Sequence, residues 1–273
     1  MDEGSRPDPL GPAGSFASMP GFLRIGPHLL ESAWHGDPAS RAIVLLHEGL
    51  GSVDLWRDFP RALSEATSLP VFAYSRPGYG RSSPSTPLPR LVGYMHEEAL
   101  LLDEVLRSAG ISDPVLFGHS DGASIAILHA SARPVRALVL EAPHVFAEER
   151  SLESIAKARE AYERGDLRAR LARWHEHVDA AFWGWNGPWL HPGFRGWNLT
   201  GCLPSIRAPA LLVQGEADEY GTLAQIEAIQ RGLPARTETL LLPGVGHAPH
   251  KDREPEVLAA TTRFIRSLPL ALS

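Results

Sequence analysis

The sequence predicts an α/β fold in which helices cover both faces of a mostly parallel sheet around one core. Short apolar runs alternate with segments of helical length along much of the chain, as expected when helices connect parallel strands. The strand candidates, such as 115–117, are apolar almost throughout, which is typical of strands buried on both faces. An apolar content of 44% and a charged content of 21% are ordinary for a globular enzyme.

The first third of the chain supplies the edge of the sheet and its first parallel strands. Weak alternation over Phe22–Trp34, broken by Gly26-Pro27, favours an edge hairpin. Glycine-rich loops follow the next two apolar runs. Between these runs, apolar residues recur at the spacing of a helix. The expected elements are strands at 42–46 and 71–75 and a helix over 97–109.

The alternation of strands and helices continues to residue 143 and then stops. Residues 144–202 contain no strand candidate, and they hold five of the seven tryptophans. The sheet pattern resumes after them. The expected elements are strands at 135–141, 210–214 and 237–242 and helices over 152–162, 167–182 and 255–267.

Charge and composition exclude several classes of partner. A net charge of -6 with scattered arginines argues against nucleic acid, and no apolar run approaches the ~20 residues that span a membrane. The single cysteine, Cys202, forms no disulfide within the chain and is expected to be packed. Residues 1–20 are rich in Gly, Pro and Ser and lack a secretion signal, so we expect a disordered tail and a cytoplasmic protein.

We expect a small-molecule substrate and no metal or other cofactor. His175 and His177 are two residues apart on a predicted helix, so they do not face one side, and no acidic residue follows at ligand spacing. A solvated or partly packed role is therefore expected for both. The oligomeric state stays open, with a homodimer as one option.

Three reactive side chains are predicted to meet at one edge of the sheet. Ser120 lies in a strand-to-helix turn so tight that Gly118 and Gly122 nearly touch, and the helix begins there with its positive end. Asp218 and His247 each follow a later strand. Because the carboxyl ends of parallel strands share one edge, all three side chains are expected above it.

Five motifs occur along the chain in the order known from one enzyme family. They are His47-Glu48-Gly49-Leu50-Gly51-Ser52, Ser75-Arg76-Pro77-Gly78-Tyr79-Gly80-Arg81-Ser82, Gly118-His119-Ser120-Asp121-Gly122, Gly215-Glu216-Ala217-Asp218 and Gly246-His247-Ala248-Pro249-His250. In this order they resemble the α/β-hydrolases of the esterase and meta-cleavage hydrolase type, over roughly residues 22–268. The resemblance implies an eight-stranded sheet, a core of residues 21–143 and 203–273, and a helical cap of residues 144–202 inserted after the sixth strand.

The resemblance also implies acyl transfer through a covalent intermediate. Ser120 would attack a carbonyl carbon, His247 would accept its proton, and Asp218 would hold the imidazole. Backbone N–H groups of Asp121 and Gly49 would bind the oxyanion.

Glu141 competes with Asp218 as the acid, and His250 competes with His247 as the base. We favour Asp218 because Gly-x-x-Asp after the seventh strand fits the family spacing. We favour His247 because the preceding glycines permit the turn that presents it, which leaves His250 to stabilise the loop.

Two carboxylates depart from the family pattern. Glu48 stands where the family usually has glycine, and Asp121 where it usually has an apolar residue or glutamine. An acid in the first turn of a helix is favoured by the helix dipole, so we expect the Asp121 side chain to point away from the oxyanion. For Glu48 two roles stay open, structural hydrogen bonding or positioning of substrate or water.

The predicted substrate pocket combines residues of the core and the cap, and it indicates a substrate with an apolar or aromatic acyl part. The cap residues lie in a segment that looks too irregular to bury every aromatic ring. The pocket residues are Glu48, His144, Trp183, Trp185 and Trp189.

These features predict a hydrolase of small carboxylic esters, with four alternatives. The same triad also serves C–C bond hydrolases of aromatic ring-cleavage products, for which Arg195 is a possible substrate contact. It serves lactonases and prolyl aminopeptidases too, and the latter need carboxylates such as Glu148, Glu149 and Glu153. The non-enzyme alternative is a ligand-binding receptor on the same fold, against which the complete triad argues.

Overall fold

One eight-stranded sheet organises the computed structural model, which describes residues 19–85, 88 and 90–269. Its strands are β1 (Met19–Ile25), β2 (His28–His35), β3 (Arg41–Leu46), β4 (Val71–Tyr74), β5 (Asp113–His119), β6 (Ala137–Glu141), β7 (Ala210–Gly215) and β8 (Thr237–Leu242). Their order across the sheet is β1-β2-β4-β3-β5-β6-β7-β8. β2 is antiparallel to both β1 and β4, and the other neighbouring pairs are parallel. The predicted fold class and the edge hairpin are therefore confirmed.

Helices cover both faces of this sheet. They are α1 (Phe59–Thr67), α2 (Tyr94–Ser108), α3 (Asp121–Ala132), α4 (Glu149–Arg164), α5 (Leu167–Leu171), α6 (Val178–Leu190), α7 (Leu223–Gly232), α8 (Pro249–Asp252) and α9 (Glu254–Arg266). Of the tail predicted over residues 1–20, only Met19 and Pro20 fall within the described residues, and both belong to β1.

Two apolar clusters, one on each face, account for the uniformly apolar strands. In β3, Ala42, Val44 and Leu46 pack in the cluster that contains side chains of α2, α3 and α7. Ile43 and Leu45 pack on the opposite face, with side chains of α1 and α9. Successive strand residues point to opposite faces, so a strand covered on both sides has no polar position.

The helical segment, residues 142–209 between β6 and β7, divides into helices differently from the prediction. The prediction of one helix over residues 167–182 is wrong, because α5 and α6 are separate helices. His175 explains the break: its Nδ1 accepts from the Gly80 N–H and its Nε2 donates to the Leu50 carbonyl, each at 3.0 Å. His175 is thus fully packed between two loops of the sheet edge, rather than solvated.

Among the described residues, no helix combines the length and the apolar character that crossing a bilayer requires.

Candidate active site

Ser120 occupies the turn between β5 and α3, at the carboxyl edge of the sheet. Its φ is 54°, a left-handed value that strains a residue with a side chain. A Cβ on Gly118 would lie 2.4 Å from the Gly122 carbonyl oxygen, and a Cβ on Gly122 would lie 1.9 Å from that of Leu46. Glycine at both positions is therefore a steric requirement of the turn that presents the serine hydroxyl.

Ser120, His247 and Asp218 lie in one chain of hydrogen bonds. His247 Nε2 is 2.9 Å from Ser120 Oγ, and His247 Nδ1 is 2.9 Å from both carboxylate oxygens of Asp218. An ionised carboxylate only accepts hydrogen bonds, so Nδ1 carries the ring proton. Nε2 is then left to accept the serine hydroxyl, which is the arrangement a general base needs.

The Asp218 carboxylate is held by further donors from β7 and from its own loop. Oδ1 accepts from the Tyr220 N–H at 2.7 Å, and Oδ2 accepts from Gln214 Nε2 at 2.7 Å. Burial raises the pKa of Asp218, but the hydrogen bond and charge of His247 and the Tyr220 N–H outweigh burial and lower it to about 2. The carboxylate is consequently ionised at neutral and mildly acidic pH.

A buried arginine fixes the loop that follows β3. The Arg76 guanidinium donates to the carbonyl oxygens of His47 and Glu48, and the Arg76 backbone N–H donates to His47 Nε2. A trans peptide places its N–H opposite its C=O. Because the Glu48 carbonyl faces Arg76, the Gly49 N–H points to the other side of the loop.

Asp121, the residue after the serine, is fully buried beneath the site. Tyr94 Oη donates to Oδ2 of its carboxylate, and Trp189 Nε1 donates to Oδ1 at 3.2 Å. Burial raises the pKa of Asp121, although the Arg76 charge and these two hydrogen bonds act in the opposite direction. Both oxygens are thus turned towards protein donors.

We expect Tyr94→Phe to lower the free energy of unfolding by about 1–3 kcal/mol, because it leaves Asp121 buried without one of its donors. Urea unfolding followed by tryptophan fluorescence measures this loss. Tyr162→Phe is the matched control, since its hydroxyl also bonds an aspartate, but the Asp179 side chain is 57% exposed. Equal losses for the two variants would contradict the importance of burial at Asp121.

A cavity of about 110 Å³ lies beside Ser120 and His247. No lysine or arginine appears among the described residues that line it. These are Glu48, Gly49, Leu50, Ser120, Asp121, His144, Ile155, Trp185, Trp189, Tyr220 and His247. Trp185 forms the wall next to the β3 loop, where a Cβ on Gly49 would lie 2.1 Å from its Nε1.

His144 brings a second imidazole to this cavity. Its ring centroid is 5.7 Å from that of His247 and 5.3 Å from the Trp189 ring. Burial, reinforced by the charge of His247, lowers the pKa of His144 to about 3. The ring is therefore neutral at physiological pH and offers the cavity a hydrogen-bonding group without charge.

The comparison with known families supports what this geometry suggests. The sequence profile of the alpha/beta hydrolase family matches residues 43–261, from β3 into α9. The chain belongs to the alpha/beta hydrolase family. The protein is accordingly a hydrolase, and its matched range contains the Ser120, Asp218 and His247 motifs.

Solved structures of other hydrolases share the fold at low sequence identity. A bacterial membrane phospholipase A is 22% identical, with 92% of this chain and 86% of that chain covered and a TM-score of 0.76. The 2-hydroxy-6-oxo-6-phenylhexa-2,4-dienoate hydrolase of a Rhodococcus strain is 15% identical, with 93% and 100% covered and a TM-score of 0.75. A carboxylesterase of the ammonia-oxidizing thaumarchaeon Nitrososphaera gargenis is 18% identical, with 91% and 98% covered and a TM-score of 0.74. No curated protein matches this hydrolase in sequence.

Two residues predicted to contact the substrate of this hydrolase lie elsewhere. Trp183 packs against Tyr162 and Phe182 and does not line the cavity. The segment is a regular helix, and two residues along a helix point to nearly opposite sides, so Trp183 diverges from Trp185. Arg195 also lies away from the cavity, in an exposed ion pair with Glu149 at 2.7 Å.

The competing acid and base of this hydrolase form a separate buried pair. Glu141 Oε1 accepts from the His250 N–H at 2.6 Å, and Oε2 is 2.9 Å from His250 Nδ1. With His119 they place three possible metal-ligand atoms within 4.8 Å of one another. Hydrogen bonds engage these groups, since His119 Nε2 also donates to the His247 carbonyl at 2.7 Å. Neither Glu141 nor His250 lines the cavity.

Several residues of the site have no counterpart in the predicted set. Leu50 follows Gly49 directly and Tyr220 lies two residues after Asp218, and this closeness in sequence is a signal that could have identified them. Arg76 lies within a quoted motif, but nothing in that motif indicates that it binds the β3 loop. Tyr94 and Ile155 are remote in sequence from every predicted site residue and carry no such signal.

Proposed function

We propose that this protein hydrolyses small, uncharged carboxylic esters through Ser120, His247 and Asp218 and an acyl-enzyme intermediate. One observation carries the proposal: the hydrogen-bonded chain from Asp218 to Ser120 ends at a small, mostly apolar cavity. A serine is a poor nucleophile without a base, and here a correctly protonated imidazole lies 2.9 Å away.

In the first half of the reaction, Ser120 Oγ attacks the ester carbonyl carbon while its proton passes to His247 Nε2. Asp218 stabilises the imidazolium that results. The carbonyl oxygen becomes an oxyanion, for which the N–H groups of Gly49 and Asp121 are the proposed donors. Among the described residues, neither N–H donates to a backbone acceptor in a turn or loop.

His247 then returns this proton to the leaving alcohol as the carbon–oxygen bond breaks, which leaves the acyl-enzyme. In the second half, water attacks the acyl carbonyl carbon while His247 accepts a proton from it. His247 gives that proton to Ser120 Oγ as the bond to the acyl group breaks, and the carboxylic acid is released. Four residues of the segment between β6 and β7 line the cavity beside the serine and limit the water that reaches the ester: His144, Ile155, Trp185 and Trp189.

The charge of the cavity supports an uncharged substrate. Its lining contains two carboxylates, Glu48 and Asp121, and neither a lysine nor an arginine among the described residues. Burial raises the pKa of Glu48, but Lys251 and His119 outweigh burial, so its pKa lies well below the usual value and the carboxylate is charged. A dienoate of the kind named for the Rhodococcus hydrolase carries a carboxylate, which this lining would repel.

None of the three carboxylates predicted for the aminopeptidase alternative lines the cavity: Glu153 is exposed, and the other two have partners elsewhere. Glu148 accepts hydrogen bonds from Thr222 and Gln225, and Glu149 pairs with Arg195. A lactone is a cyclic ester and meets the same requirements as an open one, provided that it fits about 110 Å³.

We further propose that residues 144–202 act as a cap over the core of residues 21–143 and 203–273, since His144, Ile155, Trp185 and Trp189 reach the cavity from there.

A pair of p-nitrophenyl esters tests the proposal. We expect kcat/KM for the butyrate to exceed that for the similarly sized but anionic hemisuccinate at least about tenfold, because the lining repels the second carboxylate. Equal or faster turnover of the hemisuccinate would contradict the proposed selectivity. An organophosphonate should label Ser120 in mass spectrometry, and binding of esters without turnover or labelling would favour a receptor.

A further inference from the structure

Glu48 contacts the parts of the chain that hold the nucleophile and the base. Its Oε2 lies 3.6 Å from Nδ1 of His119, the residue before Ser120, and its Oε1 lies 3.6 Å from Nζ of Lys251. Lys251 belongs to α8, four residues after His247. One carboxylate on the β3 loop therefore lies close to both the end of β5 and α8.

His119 connects this carboxylate to the base. Its Nε2 donates to the His247 carbonyl oxygen at 2.7 Å, so Nε2 carries a proton. Its Nδ1 is buried and has no hydrogen-bond partner among the described residues. The Glu48 carboxylate therefore lies against the side of the imidazole opposite the nitrogen that holds the His247 carbonyl.

The β3 loop is shaped to hold the carboxylate in this position. A Cβ on Gly51 would lie 2.3 Å from Glu48 Oε2, so only glycine at 51 lets the side chain fold back over its own loop. On its other side, α8 is held by the Glu141–His250 pair. The backbone around His247 is thus fixed from two directions, and Glu48 supplies the link to the β3 loop.

We propose that Glu48 is a positioning residue that acts through His119 to hold His247 in line with Ser120. This inference rests on the proposed function, because it assigns a role within the Ser120–His247–Asp218 reaction. It gives Glu48 a structural role, through close contacts with His119 and Lys251, rather than the positioning of substrate or water.

The expected effect lies in kcat. If the hydrogen bond from His119 to the His247 carbonyl is weakened, the His247 ring can shift and Nε2 moves from its 2.9 Å contact with Ser120 Oγ. A misplacement of about 1 Å costs roughly 100-fold in rate. A fraction of that displacement predicts a loss of about tenfold in kcat for Glu48→Gln, with KM changed less than about twofold. The amide keeps the size of the side chain and removes its charge.

A double-mutant cycle in the full chain tests the link, with p-nitrophenyl butyrate as the substrate. Glu48→Gln and His119→Asn are expected to lose similar activity singly, and the double variant is expected to be no slower than the slower single variant, because both break the same connection. Glu149→Gln is the matched control: the same substitution in a 61% exposed ion pair should leave kcat and KM unchanged.

A second readout does not depend on turnover. The His247 Nδ1 proton, which bonds Asp218, should give a low-field proton NMR resonance that shifts in Glu48→Gln and stays in place in Glu149→Gln.

Lys251→Met removes the other partner of Glu48 at a 38% exposed position and is expected to lower kcat by about two- to threefold. This variant decides the matter if Glu48→Gln does not fold.

Multiplied losses in the double variant, a raised KM with unchanged kcat, or an unshifted His247 resonance would each overturn the inference. An unchanged kcat in a folded Lys251→Met protein would do the same if Glu48→Gln is lost. Failure of the proposed function has a different signature: the wild-type chain then shows neither ester turnover nor Ser120 labelling, and the resonance alone decides the role of Glu48.

Discussion

Ser120→Ala is expected to lower kcat for p-nitrophenyl butyrate at least about 10⁴-fold, since no other nucleophile contacts His247 Nε2 among the described residues. The variant keeps the cavity and the proposed oxyanion donors, so weak residual hydrolysis and a KM close to that of the wild type are expected. Steady-state kinetics on freshly purified protein measure both values. Burst-phase kinetics should show that the acyl-enzyme burst disappears.

Ser124→Ala controls for the loss of a nearby buried hydroxyl, since Ser124 lies in α3, the helix that follows Ser120. The Ser124 hydroxyl donates to the His144 carbonyl oxygen at 2.6 Å and makes no bond to His247. We expect kcat within about fivefold of the wild-type value. A Ser120→Ala protein that retains more than about one hundredth of wild-type kcat would remove Ser120 from the nucleophilic role.

Asp218→Asn is expected to lower kcat by about 10⁴-fold while leaving the fold intact. An amide presents an N–H donor where His247 Nδ1 now donates, which favours the ring tautomer with its proton on Nε2. That proton faces Ser120 and prevents the imidazole from accepting the hydroxyl. Because the pKa of Asp218 is lowered to about 2, the wild-type carboxylate stays charged down to mildly acidic pH, and its titration does not limit activity near neutrality.

Glu141→Gln tests the competing acid with the same kind of change. Glu141 contacts His250 rather than His247, so we expect less than about a tenfold loss of kcat together with a lower free energy of unfolding. Urea unfolding and steady-state kinetics on both variants separate the two effects. A larger kcat loss for Glu141→Gln than for Asp218→Asn would reverse the assignment of the acid.

The sheet and its reactive edge were predictable because they follow from local patterns. Each parallel strand is a short apolar run, and the side chains that follow such strands must emerge at one edge. The Gly-x-Ser-x-Gly turn needs only the spacing of its two glycines. These rules bring Ser120, Asp218 and His247 together without knowledge of any contact between distant residues.

Long-range contacts explain what the sequence did not reveal. The helix expected over 167–182 ends early because His175 bonds two loops about 95 and 125 residues away along the chain. The burial of Asp121 depends on Tyr94 and Trp189, which come from separate helices. Trp183 was assigned to the pocket for lack of a helical register, and α6 supplies that register.

The contact between Gly49 and Trp185 divides the site into a fixed half and an adjustable half. Any side chain at position 49 would collide with the Trp185 indole, so Gly49 can be replaced by a larger residue only after Trp185 has been replaced by a smaller one. The β3 loop is also held by Arg76, whereas Trp185 belongs to the helical segment. New acyl specificities in descendants of this enzyme would therefore begin with substitutions on α6, and the order in which the two positions can change is set by packing alone.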